Sequence, residues 1–333
     1  MPSIPGFITR YFTKEQCEYH LVHLVDDSNL AAPAKPPPIS TRTAVFLLVI
    51  YTLIYVVPFY LSPTTRPSRT LSRDAPSVIR ARITSVSLTC VACSTITYVI
   101  LTSLDRATAA EALHALGYWP LGLVEAAKCL LLTAILFTGP LYERLVVDEG
   151  WRDWLSLQPL SDLFGELTTW RNIVAGPFTE EMLFRSASVP LMLAAQASVT
   201  TTVFLSPLVF GLAHLHHFYE FRITHPHVPV SFGLLRSLMQ LGYTTLFGAY
   251  ATFLFLRSGS LIAVFVVHAF CNCMGLPRVW GRVYPAADER GQLFRPDMWT
   301  VVYYVLLVAG AVGWYKILGP LTESTNALVS VDI

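Results

Sequence analysis

Glu180, Glu181 and Arg185 fall within six residues, in the run Ala175-Gly176-Pro177-Phe178-Thr179-Glu180-Glu181-Met182-Leu183-Phe184-Arg185, with apolar stretches on both sides. On a helix, Glu181 and Arg185 are four apart, share a face, and stand in the favourable acid-before-base order. Glu180 lies about 140° from Arg185 on the same wheel, so Arg185 is expected to neutralise Glu181 and leave Glu180 without a local counter-ion. A carboxylate in that position suits general-base chemistry on a bound water. Gly176-Pro177 is a place where a helix can restart, which would put both glutamates in a first turn favoured by the helix dipole.

Two more polar groups interrupt apolar runs. Phe210-Gly211-Leu212-Ala213-His214-Leu215-His216-His217 closes one; His214 and His217 can share a face while His216 points elsewhere, and His216 with Glu220 has the spacing of an ordinary i,i+4 pair. In the other, His268 and Asn272 are four apart and can aim two donors at a developing oxyanion. Taken singly, a histidine at a helix end is often just a satisfied polar group, and an interhelical His or Asn is often only a packing contact. An ionisable group at mid-bilayer costs roughly 2.5–3.5 kcal/mol on insertion scales, so three such clusters together point to chemistry.

The elements that must position these clusters are transmembrane helices. The chain has 333 residues, of which 53% are hydrophobic and 14% charged, whereas soluble domains carry about 25% charged residues. Runs able to span a bilayer, about 20 residues each, are Thr43–Leu61, Ile83–Leu104, Leu121–Leu141, Ile173–Ala195, Thr200–His214, Leu234–Leu256, Leu261–Leu276 and Trp299–Leu318. The fold class is therefore all-α: a polytopic membrane bundle of about eight transmembrane helices with a catalytic cavity inside. The fifth and seventh runs are short enough to pack against neighbours instead of lipid.

Residues 1–42, with Pro36-Pro37-Pro38 and mixed charge, read as a polar N-terminal tail, 43–320 as the membrane domain, and 321–333 as a C-terminal tail. The first long apolar run follows that polar tail, so no cleavable signal peptide is expected. Ser62 to Arg82 holds Arg66, Arg69, Arg73, Arg80 and Arg82 against Asp74, and the positive-inside rule places it in the cytoplasm. Tyr142 to Arg171 mixes acids with Trp151, Trp154, Leu155, Leu160, Leu163 and Phe164, as interfacial helices do. Phe218 to Ser231 reads as a loop. A net charge of +1 without a Lys/Arg block argues against nucleic acid as a partner. Cys90 and Cys93 are read as small residues on one helix face in preference to a redox or metal pair.

No H-E-x-x-H, G-x-S-x-G or P-loop is present. Glu180, His214 and His268 could nonetheless converge as a His₂Glu zinc site. The readings are thus a glutamate-dependent protease without a metal, a zinc-dependent membrane protease, and a non-catalytic scaffold or transporter.

Glu180-Glu181-x-x-x-Arg185, Phe210-x-x-x-His214 and His268-x-x-x-Asn272, each on its own helix, together resemble the CPBP family of intramembrane proteases. Within it the chain resembles the eukaryotic type II CAAX prenyl endopeptidases, with support from Tyr243-Thr244-Thr245-Leu246-Phe247-Gly248 and from Cys271-Asn272 leading to Met274-Gly275. The likeness runs from about Thr43 to Leu276. It implies a multi-pass enzyme of the endoplasmic reticulum membrane that removes the last three residues of prenylated CAAX proteins such as small GTPases, meeting them in the lipid bilayer. It further implies that Glu180 and His214 activate water, that His268 and Asn272 stabilise the oxyanion, that Glu181 and Arg185 support the site, and that no cofactor is needed.

Overall fold

The computed structural model describes residues 36–285 and 296–330, and these form helices and connecting segments with no strand among them. Most of the tail expected over residues 1–42 lies outside the described residues. Each of the apolar runs read from the sequence falls on helix: α1 Thr41–Val56, α2 Pro76–Ser103, α3 Leu123–Leu136, α4 over residues 167–194, α5 Val199–Ala213, α6 Val230–Ser258, α7 Leu261–Met274 and α8 Pro296–Thr322. Four spans are individually long and apolar enough to cross a membrane: Thr41–Leu61, Pro76–Ser103, Val199–Thr224 and Asp297–Thr322. A fifth results if α3 and the following Thr138–Val147, bent by 81°, count as one. The chain is a multi-pass membrane protein, and Phe46, Leu53, Leu88, Val91, Val305 and Val308 on the outer helices face outward, as a lipid-facing surface requires.

Helix boundaries follow local chemistry. Ser40 caps α1, its Oγ accepting from the Thr43 amide at 3.1 Å. Pro76 opens α2 after an extended Ala75. Arg80 and Arg82, expected in a loop, therefore occupy the first turns of α2. The turn from α6 to α7 is tight: Gly259 takes the left-handed conformation (φ 57°), and Ser260 Oγ accepts from the Ala263 amide while donating to the Leu121 carbonyl at 2.6 Å.

The sequence also suggested a long loop over Phe218 to Ser231. Instead a helix, His216–Thr224, occupies the first half of it and α6 begins at Val230. Between α3 and α4 the short helices Trp151–Leu155 and Gln158–Gly165 bury nothing and expose Trp151, Trp154, Leu155, Leu160 and Phe164, the pattern of segments lying on a membrane surface. Residues 323–330 fold back on the bundle: the Leu328 amide donates to Leu256 O at 2.8 Å, and Glu125 Oε1 accepts from Ser324 and Asn326.

The helix that carries the glutamates does not restart at Pro177. α4 is one composite rod in which α turns (Leu167–Trp170, Gly176–Glu181, Val189–Ala194) alternate with wide π turns at Arg171–Ala175 and Met182–Ala187. Each wide turn precedes a proline, Pro177 or Pro190. A proline ring clashes with the carbonyl four residues back in a regular α-helix, and widening the preceding turn relieves that contact. Glu180 and Glu181 consequently sit mid-rod, deep in the bundle and away from any helix N-terminus. α4 packs on α2 and α7, and α5 lies along α6. Cys90 and Cys93 are buried with free thiols where α2 meets α4; Cys90 Sγ contacts the Thr179 carbonyl at 3.2 Å, so packing accounts for the pair.

Candidate active site

Glu181 and Arg185 form the ion pair that their spacing predicts, Nη1 to Oε1 at 3.1 Å, and both side chains are almost wholly removed from solvent. Breaking such a buried pair strands a charge in low dielectric. Aromatic faces complete the guanidinium's surroundings: its centre lies 4.8 Å from the Phe210 ring and 5.8 Å from that of Phe247. Gly248 makes the room. A Cβ there would stand 2.7 Å from Pro207 Cβ and 3.1 Å from Arg185 Nη2.

One contact could not be read from local spacing. Glu181 Oε1 also accepts from His268 Nδ1, at 2.6 Å, across 87 positions of sequence. That bond fixes the imidazole so that Nε2 is turned toward Glu180, 3.9 Å from its Oε2. Phe247 packs on the same imidazole at 4.6 Å between ring centroids. His214 is set by a different device. Its Nδ1 donates to the Phe210 carbonyl one helical turn back, at 3.0 Å, and the Phe210 ring meets the imidazole edge-on at 4.7 Å. With the proton on Nδ1, the lone pair of His214 Nε2 is left to accept a hydrogen bond. Phe210 and Phe247 thus each grip Arg185 with one contact and a histidine with the other.

The two glutamates differ in access. Glu181 is fully buried, while the Glu180 side chain is about a quarter exposed and lines two cavities that meet at it. The larger, about 1130 Å³, is apolar, walled by residues such as Phe137, Phe204, Phe247, Phe253, Trp314 and Leu318. The smaller, about 410 Å³, is the more polar: Arg73, Arg82, Arg171, His216 and His217 line it beside apolar residues such as Val56, Phe59 and Val86. Glu180, Phe210, His214 and Asn272 line both; His268 lines the larger. All four residues expected to do chemistry therefore surround one space. Asn272 Nδ2 donates to the Asn172 carbonyl on the first wide turn at 3.0 Å, which aims the amide and leaves its second hydrogen for a ligand.

Glu220 corrects the pairing expected for His216. It accepts from His217 Nδ1 at 3.2 Å and pairs with Arg82 at 3.0 Å and Arg73 at 3.7 Å, whereas His216 Nδ1 is bonded to the Ala213 carbonyl at 2.6 Å. His216 is the first residue of the helix that follows α5, and its ring turns back to the last turn of α5 instead of along its own helix. Among the described residues, the group with metal-ligand spacing is His216, His217 and Glu220, whose ligand atoms lie within 4.8 Å of one another. Glu180, His214 and His268 are not brought together in that way. The sequence reading missed Phe247 as a clamp on His268, Asn172 as the support of Asn272, and Arg73, Arg82 and Arg171 as cavity residues. The signal for Arg73 and Arg82 is the density of arginines ahead of a span, which by itself indicates topology; Arg171, at the end of the stretch with interfacial character, carries no such signal.

A multi-pass helix bundle with a carboxylate, two histidines and an amide around an internal cavity defines an intramembrane hydrolytic site. Residues 163–274 match the family described as type II CAAX prenyl endopeptidase, Rce1-like. The probable CAAX prenyl protease 2 of Schizosaccharomyces pombe is 38% identical over 276 residues, 83% of this chain and 92% of the relative. The human CAAX prenyl protease 2 is 35% identical over 253 residues, 73% of this chain and 74% of its own length. The Saccharomyces cerevisiae protein of that name is 28% identical over 302 residues, 80% and 92% respectively. No solved structure matches. The chain belongs to the type II CAAX prenyl endopeptidase family and is a membrane protease.

Proposed function

We propose that the protein removes the C-terminal tripeptide from prenylated CAAX proteins, small GTPases among them, in the endoplasmic reticulum membrane, with Glu180 and His214 activating the attacking water and no metal required. The observation that carries this reading is the meeting of an apolar and a polar cavity at Glu180, His214 and Asn272. A prenylated peptide needs both environments on the two sides of one bond: an apolar slot for the isoprenoid and a polar cleft for the peptide.

The water lies between the Glu180 carboxylate and His214 Nε2. Glu180 takes its proton as the oxygen attacks the carbonyl of the prenyl-cysteine. The oxyanion is met by Asn272 Nδ2 and by His268 Nε2, which donates when the imidazole is protonated and its Nδ1–H is held by Glu181. Collapse of the tetrahedral intermediate breaks the peptide bond, and the departing amine collects the proton from Glu180. The prenyl-cysteine keeps its new carboxylate and the tripeptide leaves. Arg185 balances Glu181 and keeps that carboxylate available to orient His268. The arginine-rich segment and the polar cavity that it lines face the cytoplasm, the side from which the peptide enters.

The test is release of tripeptide from a farnesylated CAAX peptide by the purified, reconstituted protein, with and without a chelator. Release that survives chelation is the expected result. Release abolished by chelation and restored by zinc would replace this mechanism with a metal-dependent one. No release from folded protein would overturn the assignment.

A further inference from the structure

Apart from Glu180, the charged side chains that line the polar cavity are arginines. Arg73, Arg82 and Arg171 line it, and the acids paired with them are Glu220 and Asp74, so three guanidiniums face two carboxylates. At the other end of the cavity, Glu180 and Glu181 are matched by Arg185 and, when protonated, His268.

The arginines are not equivalent. Arg82 is committed: Nε and Nη2 both donate to the Thr65 carbonyl, at 3.1 and 2.8 Å, and Nη2 also reaches Glu220. Arg171 donates from Nη1 to Asp74 at 2.7 Å and from Nε to Asn172 Oδ1 at 2.9 Å, which leaves its Nη2 edge. Arg73 sits 3.7 Å from Glu220, beyond hydrogen-bond distance, with its side chain about half exposed. Partial burial lowers the Arg73 guanidinium from its ordinary value and Glu220 pulls it back up. The Arg73 carbonyl accepts from Arg171 Nη1 at 3.4 Å, and the two guanidiniums, which line the same cavity, are close enough to repel one another.

Arg171 is also coupled to the reaction centre. It opens the wide turn Arg171–Ala175, and the next residue, Asn172, accepts from Arg171 through its side chain and from Asn272 through its carbonyl. The proposed oxyanion donor and the arginine therefore share one residue as a hydrogen-bond partner. An extended tripeptide reaches about 10 Å, so a receptor for its far end belongs beside the oxyanion site without touching it.

We propose that Arg73 and Arg171 form the subsite that binds the terminal carboxylate of the departing tripeptide. The inference rests on the endopeptidase reading above and gives it a length rule. A substrate whose prenyl-cysteine is in the apolar cavity and whose carboxylate is on Arg73 and Arg171 presents one peptide bond to Glu180, three residues from the end. Forked guanidinium–carboxylate pairing supplies the geometric selectivity, and a carboxyl-terminal amide cannot satisfy it.

The experiment compares two farnesylated peptides of one sequence, a free acid and its C-terminal amide, using the full chain in liposomes. Wild type is expected to favour the acid at least about 10-fold in kcat/KM, mostly through KM, the range that one charge-assisted pair supplies. Arg73→Gln and Arg171→Gln should each cut that preference, the double variant should bring it near one, and Arg73→Lys should retain part of it. Equal cleavage of acid and amide by wild type overturns the subsite while leaving the endopeptidase reading intact. An acid-to-amide ratio unchanged in the double variant, or equal loss on both peptides, also overturns it, the latter by showing a merely structural role. If wild type cleaves neither peptide, the reading and the subsite fall together.

Discussion

The two cavities that meet at Glu180 are built in opposite ways. The apolar one is made by helix faces: Leu307, Ala311, Trp314 and Leu318 recur along one side of α8, at the spacing of a helical stripe. The polar one takes its cationic and histidine side chains from the connection carrying Arg73, the first turns of α2 carrying Arg82, the wide turn carrying Arg171, the end of α5 carrying His214 and the short helix carrying His216 and His217. Backbone that departs from regular helix is tolerated at membrane depth only where it is buried or lines a polar space. One site can thus present hydrocarbon to one part of a substrate and charge to another, with Glu180, His214 and Asn272 on the border.

Substitutions at the border, beneath it and in the apolar wall have separable consequences. The largest effect is expected from the border itself. His214→Ala removes the proposed second contact to the water and should lower kcat by about 10²–10⁴-fold for any substrate, read as single-turnover peptide release at saturating peptide. Next is the support beneath the border: Arg185→Leu leaves Glu181 without its cation and should destabilise the fold by about 3–5 kcal/mol, seen as a lower Tm in detergent with His214→Ala as the stable comparison. The apolar wall should respond selectively. Ala311→Phe narrows the larger cavity and should reduce kcat/KM about 10-fold for a geranylgeranylated peptide and less for a farnesylated one, a discrimination that changes at Arg73 or Arg171 should not produce. The smallest effect is Gly248→Ala, which crowds Pro207 and Arg185 and should cost about 1–3 kcal/mol, measurable by thermal unfolding.

Much of the apolar half was legible in the sequence, because continuous hydrophobic runs report helices directly and the Glu181–Arg185 pair depends only on helical repeat. The resemblance located Glu180, His214, His268 and Asn272, but their mutual arrangement comes from tertiary contacts. The bond from His268 to Glu181 spans 87 positions, and nothing local encodes it. Pro177 signals a helix start by propensity, yet packing on α2 and α7 keeps the rod continuous and the proline is absorbed by a wide turn. The polar half was the less legible: a run of arginines before a span has the same appearance whether it sets topology or lines a cavity.

The assignment of different jobs to adjacent glutamates is tested most directly by comparing Glu180→Gln with Glu181→Gln for tripeptide release and thermal stability in one reconstituted system. Glu180 reaches both cavities and Glu181 reaches Arg185 and His268. Glu180→Gln is expected to lose release by about 10³-fold or more with little change in Tm, while Glu181→Gln lowers Tm and retains measurable release. Full activity in Glu180→Gln, or the reverse division between the two variants, would contradict that assignment.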